Sequence, residues 1–322
     1  MDPRIEAVDN LWSMPDTVLQ RVRGVDGVAW AAPFLRATTT IVAADLPLQT
    51  ASLFGLDDAT LVGLPTQIVA GNPADLAVPG TVMMDEGGWQ FLFPGQAFVP
   101  GKLLEFNDRR AVVVGLVKAG VQFSSQVSIF TRYSAALEYA PGGRKRLTFV
   151  IAKAADGFSA PEVALAISTA TGLKAMDAKS FAKASSDYVI YNTGIPISFG
   201  TVVFLGIIVG IVIVALTFTL FIRDNIKQFA SLKAIGVSSP RLIGMVLLQG
   251  GVVGAMGYGL GIGAATTVVN LGAQNSLALR GFYLPWQVAA FASVVVTIII
   301  CMAGLLAIRK VLTTDPATAF RG

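Results

Sequence analysis

Two pairs of adjacent carboxylates, Asp57-Asp58 and Asp85-Glu86, are the residues of this 322-residue chain whose types best suit metal binding or paired acid and base roles. Neighbours on a strand point to opposite faces, so turns or solvated faces are the better expectation for both pairs. Histidine is absent, which removes imidazole catalysis, histidine metal sites and Ser-His-Asp triads. The single cysteine, Cys301, lies inside an apolar run, so the polar part of the chain has no disulfide to lean on. Gly95 to Lys102 comes nearest to a phosphate-binding loop. It has one residue too many between its glycines, and Leu103 stands where Ser or Thr is needed. No catalytic, metal-binding or cofactor-binding residue is therefore expected in this chain.

Two further clusters could bind a partner. Trp89, Phe91, Phe93 and Phe98 suit either a packed core, the better reading, or contact with a lipid-like substrate or an adaptor protein. Arg144, Lys145 and Arg146 follow Gly142-Gly143 and read as a solvated hairpin turn or as a contact for anionic headgroups.

The elements that must position these residues divide near residue 200. The chain is 54% hydrophobic and 14% charged, with mean hydropathy +0.66, so part of it must face lipid. Residues 201–222, 242–272 and 284–308 carry no charge and are long enough to cross a ~30 Å hydrocarbon layer as helices. After residue 200 there are eight basic residues against two acids; before it, 16 against 18. The excess sits beside the apolar runs with no interleaved aromatic patch, which argues against nucleic acid. Arg223, Lys227, Lys233 and Arg241 place the 223–241 connection in the cytoplasm, as Arg309, Lys310 and Arg321 place the tail. The 273–283 connection holds only Arg280 and belongs on the other side, with the N-terminal residues. The start, MDPRIEAVDNLW, has no export signal, which predicts a further span upstream.

No Asp, Glu, Lys or Arg lies inside the three runs, so neither a proton relay nor an ion site is expected there. Gly206/Gly210, Gly250/Gly254, Gly257/Gly261 and Gly259/Gly263 are spaced for close helix approach, as static packing or as a moving interface. Between the first two runs, Ile226, Phe229, Ala230, Leu232, Ala234 and Ile235 predict a short helix stopped by Gly236. Ser239 is expected to cap the next helix and Pro240 to be its first residue. This elbow reads either as a membrane-surface helix or as a rigid piece that a cytoplasmic motor could push.

The stretch from NTGIPISFG (192–200) through FIRDNIKQFASLKAIGVSSPRLIGMVLLQGG to DPATAFRG (315–322), with LKAIG at 232–236 as its core, resembles the FtsX/MacB-like ABC transporter permease family, most of all its DevC-type exporter branch. GTVMMDEGGWQFLFPG followed by AVVVGLVKAG is similar to that family's periplasmic core pattern. The family has four spans, so the resemblance implies that the first is missing here. It also implies a homodimer of permeases on two cytoplasmic ABC ATPase subunits, which carry the ATP and magnesium. The ATPase-coupling elbow would be Phe229, Leu232, Lys233, Ala234, Ile235 and Gly236. Gln228 stands where many relatives carry an acid that pairs with the motor.

The expected fold class is an α-helical transmembrane bundle, three spans present, plus an α+β extracytoplasmic domain. Residues 1–197 would form the periplasmic domain and 198–322 the membrane domain. Strand-like runs at 38–43, 111–117 and 147–152 alternate with helical stretches near 161–171 and 178–191. The leading functional expectation is an exporter permease of the bacterial inner membrane, transmitting ATPase motion mechanically, with a periplasmic adaptor and an outer-membrane channel and a lipid or other amphiphile as cargo. The alternatives are an FtsX-like regulator of cell-wall hydrolases and a lipoprotein-releasing permease.

Overall fold

The computed structural model describes residues 1–8, 12–43, 47–106, 108–120, 127–140, 146–275 and 282–313, with side chains throughout except at 274–275 and 307–313. Gly142-Gly143, Arg144, Lys145, Arg280 and the DPATAFRG tail lie outside the described residues, as do the side chains of Arg309 and Lys310. Two compact units form, residues 1–193 and 194–322.

The first unit opens with β1 (Met14–Pro15), α1 (Val18–Arg23), the long β2 (Val28–Ala43), β3 (Gln49–Leu56) and β4 (Ile68–Ala70). A short 3-10 turn at Pro73–Ala77 leads to β5 (Thr81–Asp85), α2 (Glu86–Leu92), β6 (Lys102–Phe106), β7 (Arg109–Val117) and β8 (Val127–Arg132). Then follow α3 (Tyr133–Tyr139), β9 (Arg146–Leu147), β10 (Phe149–Ala154), α4 (Ala160–Thr171) and α5 (Ala178–Asn192).

β2, β3, β8, β5, β7 and β6 close into a circuit, because β6 pairs with β7 on one side and with the end of β2 on the other. The pairs β3–β8 and β5–β7 are parallel and the rest antiparallel. Alternate residues point inward, and the largest, Ile41, Leu53, Leu104, Phe106 and Ile129, share one fully buried cluster. Closure leaves β4 and β10 as the outer strands of this sheet.

The aromatic run is core. Trp89 is buried between Phe93 and Phe98, with ring centroids 4.5 and 4.9 Å away, and its indole N–H donates to the Gln96 carbonyl. Three of the four paired acids are structural. Asp85 caps α2 through the Gly88 N–H and also accepts the Ser128 N–H of β8 at 2.7 Å. Asp57 closes a turn on Thr60, and Asp58 accepts the Ser134 N–H and hydroxyl at the start of α3. Among the described residues, no group of three or more carboxylates and thiols could hold a metal ion.

The second unit contains α6 (Ile195–Asp224), α7 (Ile226–Ala234), α8 (Ser239–Asn275) and α9 (Trp286–Thr313). Among the described residues, three helices are long and apolar enough to cross a membrane, over Ile195–Asp224, Ser239–Ala273 and Trp286–Leu306. Two start earlier than the uncharged runs do. Pro196 is admissible in the first turn of α6, and the polar Ser239-Pro240-Arg241 forms the first turn of α8.

Candidate functional site

The elbow joins α6 to α8 through Asn225, the nine-residue α7 and a four-residue turn, Ile235, Gly236, Val237 and Ser238. Asn225 makes the first bend. Its backbone leaves helical geometry at φ −105°, and its side-chain amide donates to the Phe221 carbonyl at 2.8 Å, ending α6. The Asn225 carbonyl then accepts the N–H groups of Gln228 and Phe229, which starts α7.

Gly236 makes the second bend at φ +98°, a left-handed conformation that costs a residue with a Cβ about 1–2 kcal/mol. Across it the Val237 N–H donates to the Leu232 carbonyl and the Gly236 N–H to the Lys233 carbonyl, at 3.0 and 3.1 Å. These two hydrogen bonds satisfy two terminal carbonyls of α7, and the apolar side chains of Leu232 and Val237 pack on the same cluster. Ser239 was the expected cap of α8. Instead Ser239 is already helical and Pro240 second, with the Ser238 carbonyl accepting from Arg241 and Leu242, because the turn after Gly236 is one residue shorter than the sequence suggested.

The six residues read as one coupling surface separate into two faces. Phe229 is 7% exposed and packs with Ile222, Leu242 and Val246, supported by Phe218, Leu232 and Val237. Its ring meets Phe221 edge on, with centroids 6.4 Å apart. Phe229 is thus withdrawn from any partner, contrary to its place in the expected contact surface: α6 and α8 converge here and bury it. Leu232 and Lys233 are half-buried. Ala234, Ile235 and Gly236 stay exposed, with Ile235 at 79%. Lys227, Gln228 and Ser231 share that outward side, since residues three, four and seven apart line one face of a helix. The outcome is a rigid apolar knob, Ile235, beside a basic flank and held from behind by an aromatic anchor.

The glycine set separates as well. A Cβ on Gly250 would collide with Phe218 and press on Ile300, and one on Gly254 would collide with Ile300. These two glycines are where α8 admits side chains of α6 and α9. A Cβ on Gly206, Gly210, Gly257 or Gly261, or on Gly259 or Gly263, would meet nothing within 4 Å. Gly210, Gly257 and Gly261 line an open, largely apolar cleft of about 810 Å³ between α6, α8 and α9. Sequence reasoning missed Gly304, whose Cβ would stand 2.9 Å from Leu247. It also missed Tyr258, whose hydroxyl donates to the Ala289 carbonyl at 2.8 Å and ties α8 to α9; a tyrosine inside an apolar run was the available signal.

A family model described as the MacB-like periplasmic core domain matches residues 4–192, and one described as the FtsX-like permease C-terminal matches residues 200–316. No curated protein matches the chain. Among solved structures, the periplasmic region of MacB from Actinobacillus actinomycetemcomitans is 18% identical, with a TM-score of 0.40, covering 53% of this chain and 81% of that one. The extracellular domain of the noncanonic ABC-type transporter YknZ from Gram-positive bacteria is 15% identical, also with a TM-score of 0.40, covering 55% and 96%.

Proposed function

The chain belongs to the ABC-type permease family that joins a MacB-like periplasmic core domain to an FtsX-like C-terminal domain, and we propose that its elbow receives the stroke of a separate ATPase and passes it through α6 and α8 to the extracytoplasmic domain. Members of this family are multi-pass membrane proteins, typically non-catalytic, and membership implies a partner ATPase. With the large domain outside, one crossing by α6 brings the elbow to the cytoplasmic face, where the excess of Arg and Lys also belongs.

The observation that carries the proposal is Ile235, exposed at the C-cap of a short helix fixed at both ends. A knob seated in a groove transmits force only if the piece that bears it does not yield. Here Asn225 and Gly236 fix the ends, and the Phe229 cluster fixes the back. A surface helix lying in headgroups would instead turn its apolar side to lipid, whereas Phe229 turns its ring to α6 and α8.

The fuller reading is a DevC-like exporter in a bacterial inner membrane, working as a homodimer with a periplasmic adaptor and an outer-membrane channel on a lipid or other amphiphile. Gly210, Gly257 and Gly261, which no described helix of this chain covers, are the face that a second copy would use. ATP and magnesium would reside on the ATPase. Co-expressing the chain with neighbouring ATPase and adaptor candidates tests this. Recovery of all three with raised ATP hydrolysis supports the exporter, ATPase without adaptor redirects it to the hydrolase regulator or lipoprotein release, and recovery of neither contradicts the coupling role.

A further inference from the structure

β10 ends its sheet and pairs with β2 alone, Phe149 opposite Phe34 and Ile151 opposite Ala32. Pro33 lies opposite Val150 and has no N–H to give, so the doubly bonded positions of this antiparallel ladder are Phe149, Ile151 and Lys153. The Ala155 N–H, which donates to the Gly27 carbonyl at 2.8 Å, continues that phase past the bulge at Lys153/Ala154. Val150, Ala152 and Ala154 therefore turn their N–H and C=O groups away from β2, and among the described residues none bonds to them.

That row of backbone groups opens into a cleft of about 920 Å³. All six residues of β10 line it, from both faces of the sheet, as happens when the opening is the free edge itself. Phe34, Phe149, Phe158 and Phe181 wall it with rings, and Phe149 meets Phe181 of α5 edge on at 5.8 Å between centroids. Its charged side chains are Arg36, Lys153 and Lys174 against one acid, Asp177, and the Lys174 ammonium already donates to the Ile5 carbonyl at 2.9 Å. Asp177 is committed to capping α5 through the N–H groups of Lys179 and Ser180. The lining is thus apolar, cationic and backed by a row of amides and carbonyls that no described residue bonds, groups that a further strand would pair.

We propose that the free edge of β10 binds an extended polypeptide segment, which adds to the sheet as a further strand. Its outer amides would complete the ladder, alternate apolar residues would enter the ring-lined walls, and carboxylates would face Lys153. An amphiphile could use the rings and the cations but none of the backbone groups, and those groups are what distinguish this cleft. The inference concerns the extracytoplasmic domain and is independent of the elbow.

The test uses the full chain in lipid nanodiscs and a short fluorescent peptide alternating valine and glutamate, read by anisotropy. The peptide is expected to bind. Its counterpart N-methylated at alternate amides should bind about tenfold more weakly or worse, having lost two or more backbone bonds. Ala152→Pro should weaken the unmodified peptide similarly, because it removes an outward N–H that the β10–β2 ladder does not use. Lys153→Glu should shift preference toward a valine–lysine peptide. Equal binding of the methylated and unmodified peptides would overturn the proposal, as would dodecanoate binding in the cleft while neither peptide does, or no binding by any probe. The methylated peptide decides the matter on the unaltered chain even if Ala152→Pro fails to fold.

Discussion

The Val237 N–H reaches back across Gly236 to the Leu232 carbonyl at 3.0 Å, so that α7 is closed by a locked turn and Ile235 sits on its outer corner. The direction in which Ile235 points is set by that bond and by the left-handed glycine that permits it.

Gly236→Ala should therefore cost about 1–2 kcal/mol of local strain and loosen the corner, and Gly236→Pro should open it outright. Both variants are expected to insert into membranes at normal levels yet to lose stimulation of the partner ATPase. Ile235→Glu should do the same with the turn intact. The check is insertion by membrane fractionation alongside ATP hydrolysis by the purified complex.

Gly250→Leu and Gly254→Leu should drive Phe218 and Ile300 apart from α8 and lower the thermal stability of the detergent-solubilised chain by about 1–3 kcal/mol or more, the usual cost of overpacking. Gly206→Leu should leave it unchanged, since nothing within 4 Å opposes the new side chain. Thermal unfolding monitored by size exclusion separates the two classes.

Asp85→Ala should destabilise the extracytoplasmic domain by about 2–4 kcal/mol, because it strands the Gly88 and Ser128 N–H groups together. Denaturant unfolding, followed by tryptophan fluorescence in a chain whose Trp12, Trp30 and Trp286 are replaced by Phe so that only the buried Trp89 reports, would measure it.

Acid should loosen the start of α4 and α5 first. The Ser159 N–H bonds the Glu162 carboxylate and holds its pKa below the ordinary 4.5, while hydrogen bonds from Ser180, side chain before backbone, hold Asp177 below the ordinary 3.8. A depressed native pKa stabilises the fold above the unfolded value, and that stabilisation is lost as pH falls through the native value. Hydrogen exchange over residues 159–180 should accelerate as pH drops below those two values, after correction for intrinsic rates. Glu162→Gln with Asp177→Asn should flatten the response.

Much of this architecture is visible in the residues. Uncharged runs of more than twenty residues can only be spans, and Thr38 to Ala43 and Ala111 to Val117 are β-branched or small in the way strands require; they lie in β2 and β7. The helical stretches near 161–171 and 178–191 lie in α4 and α5. The closed strand circuit was not visible, since β6 meets β2 through Phe106 and Ile41, a pairing with no local signature. The same distance effect explains the elbow. Phe229 lies within α7 and Ile235, equally apolar, is its C-cap. Only the convergence of Ile222 with Leu242 and Val246 decides that the first is buried and the second presented.

The most direct measurement places a photo-crosslinking amino acid at residue 235 and, separately, at residue 229, in the chain co-expressed with its partner ATPase. The coupling account predicts a permease–ATPase adduct from position 235 and none from the buried position 229. Adducts to lipid alone from position 235, with the ATPase present and co-purifying, would contradict it.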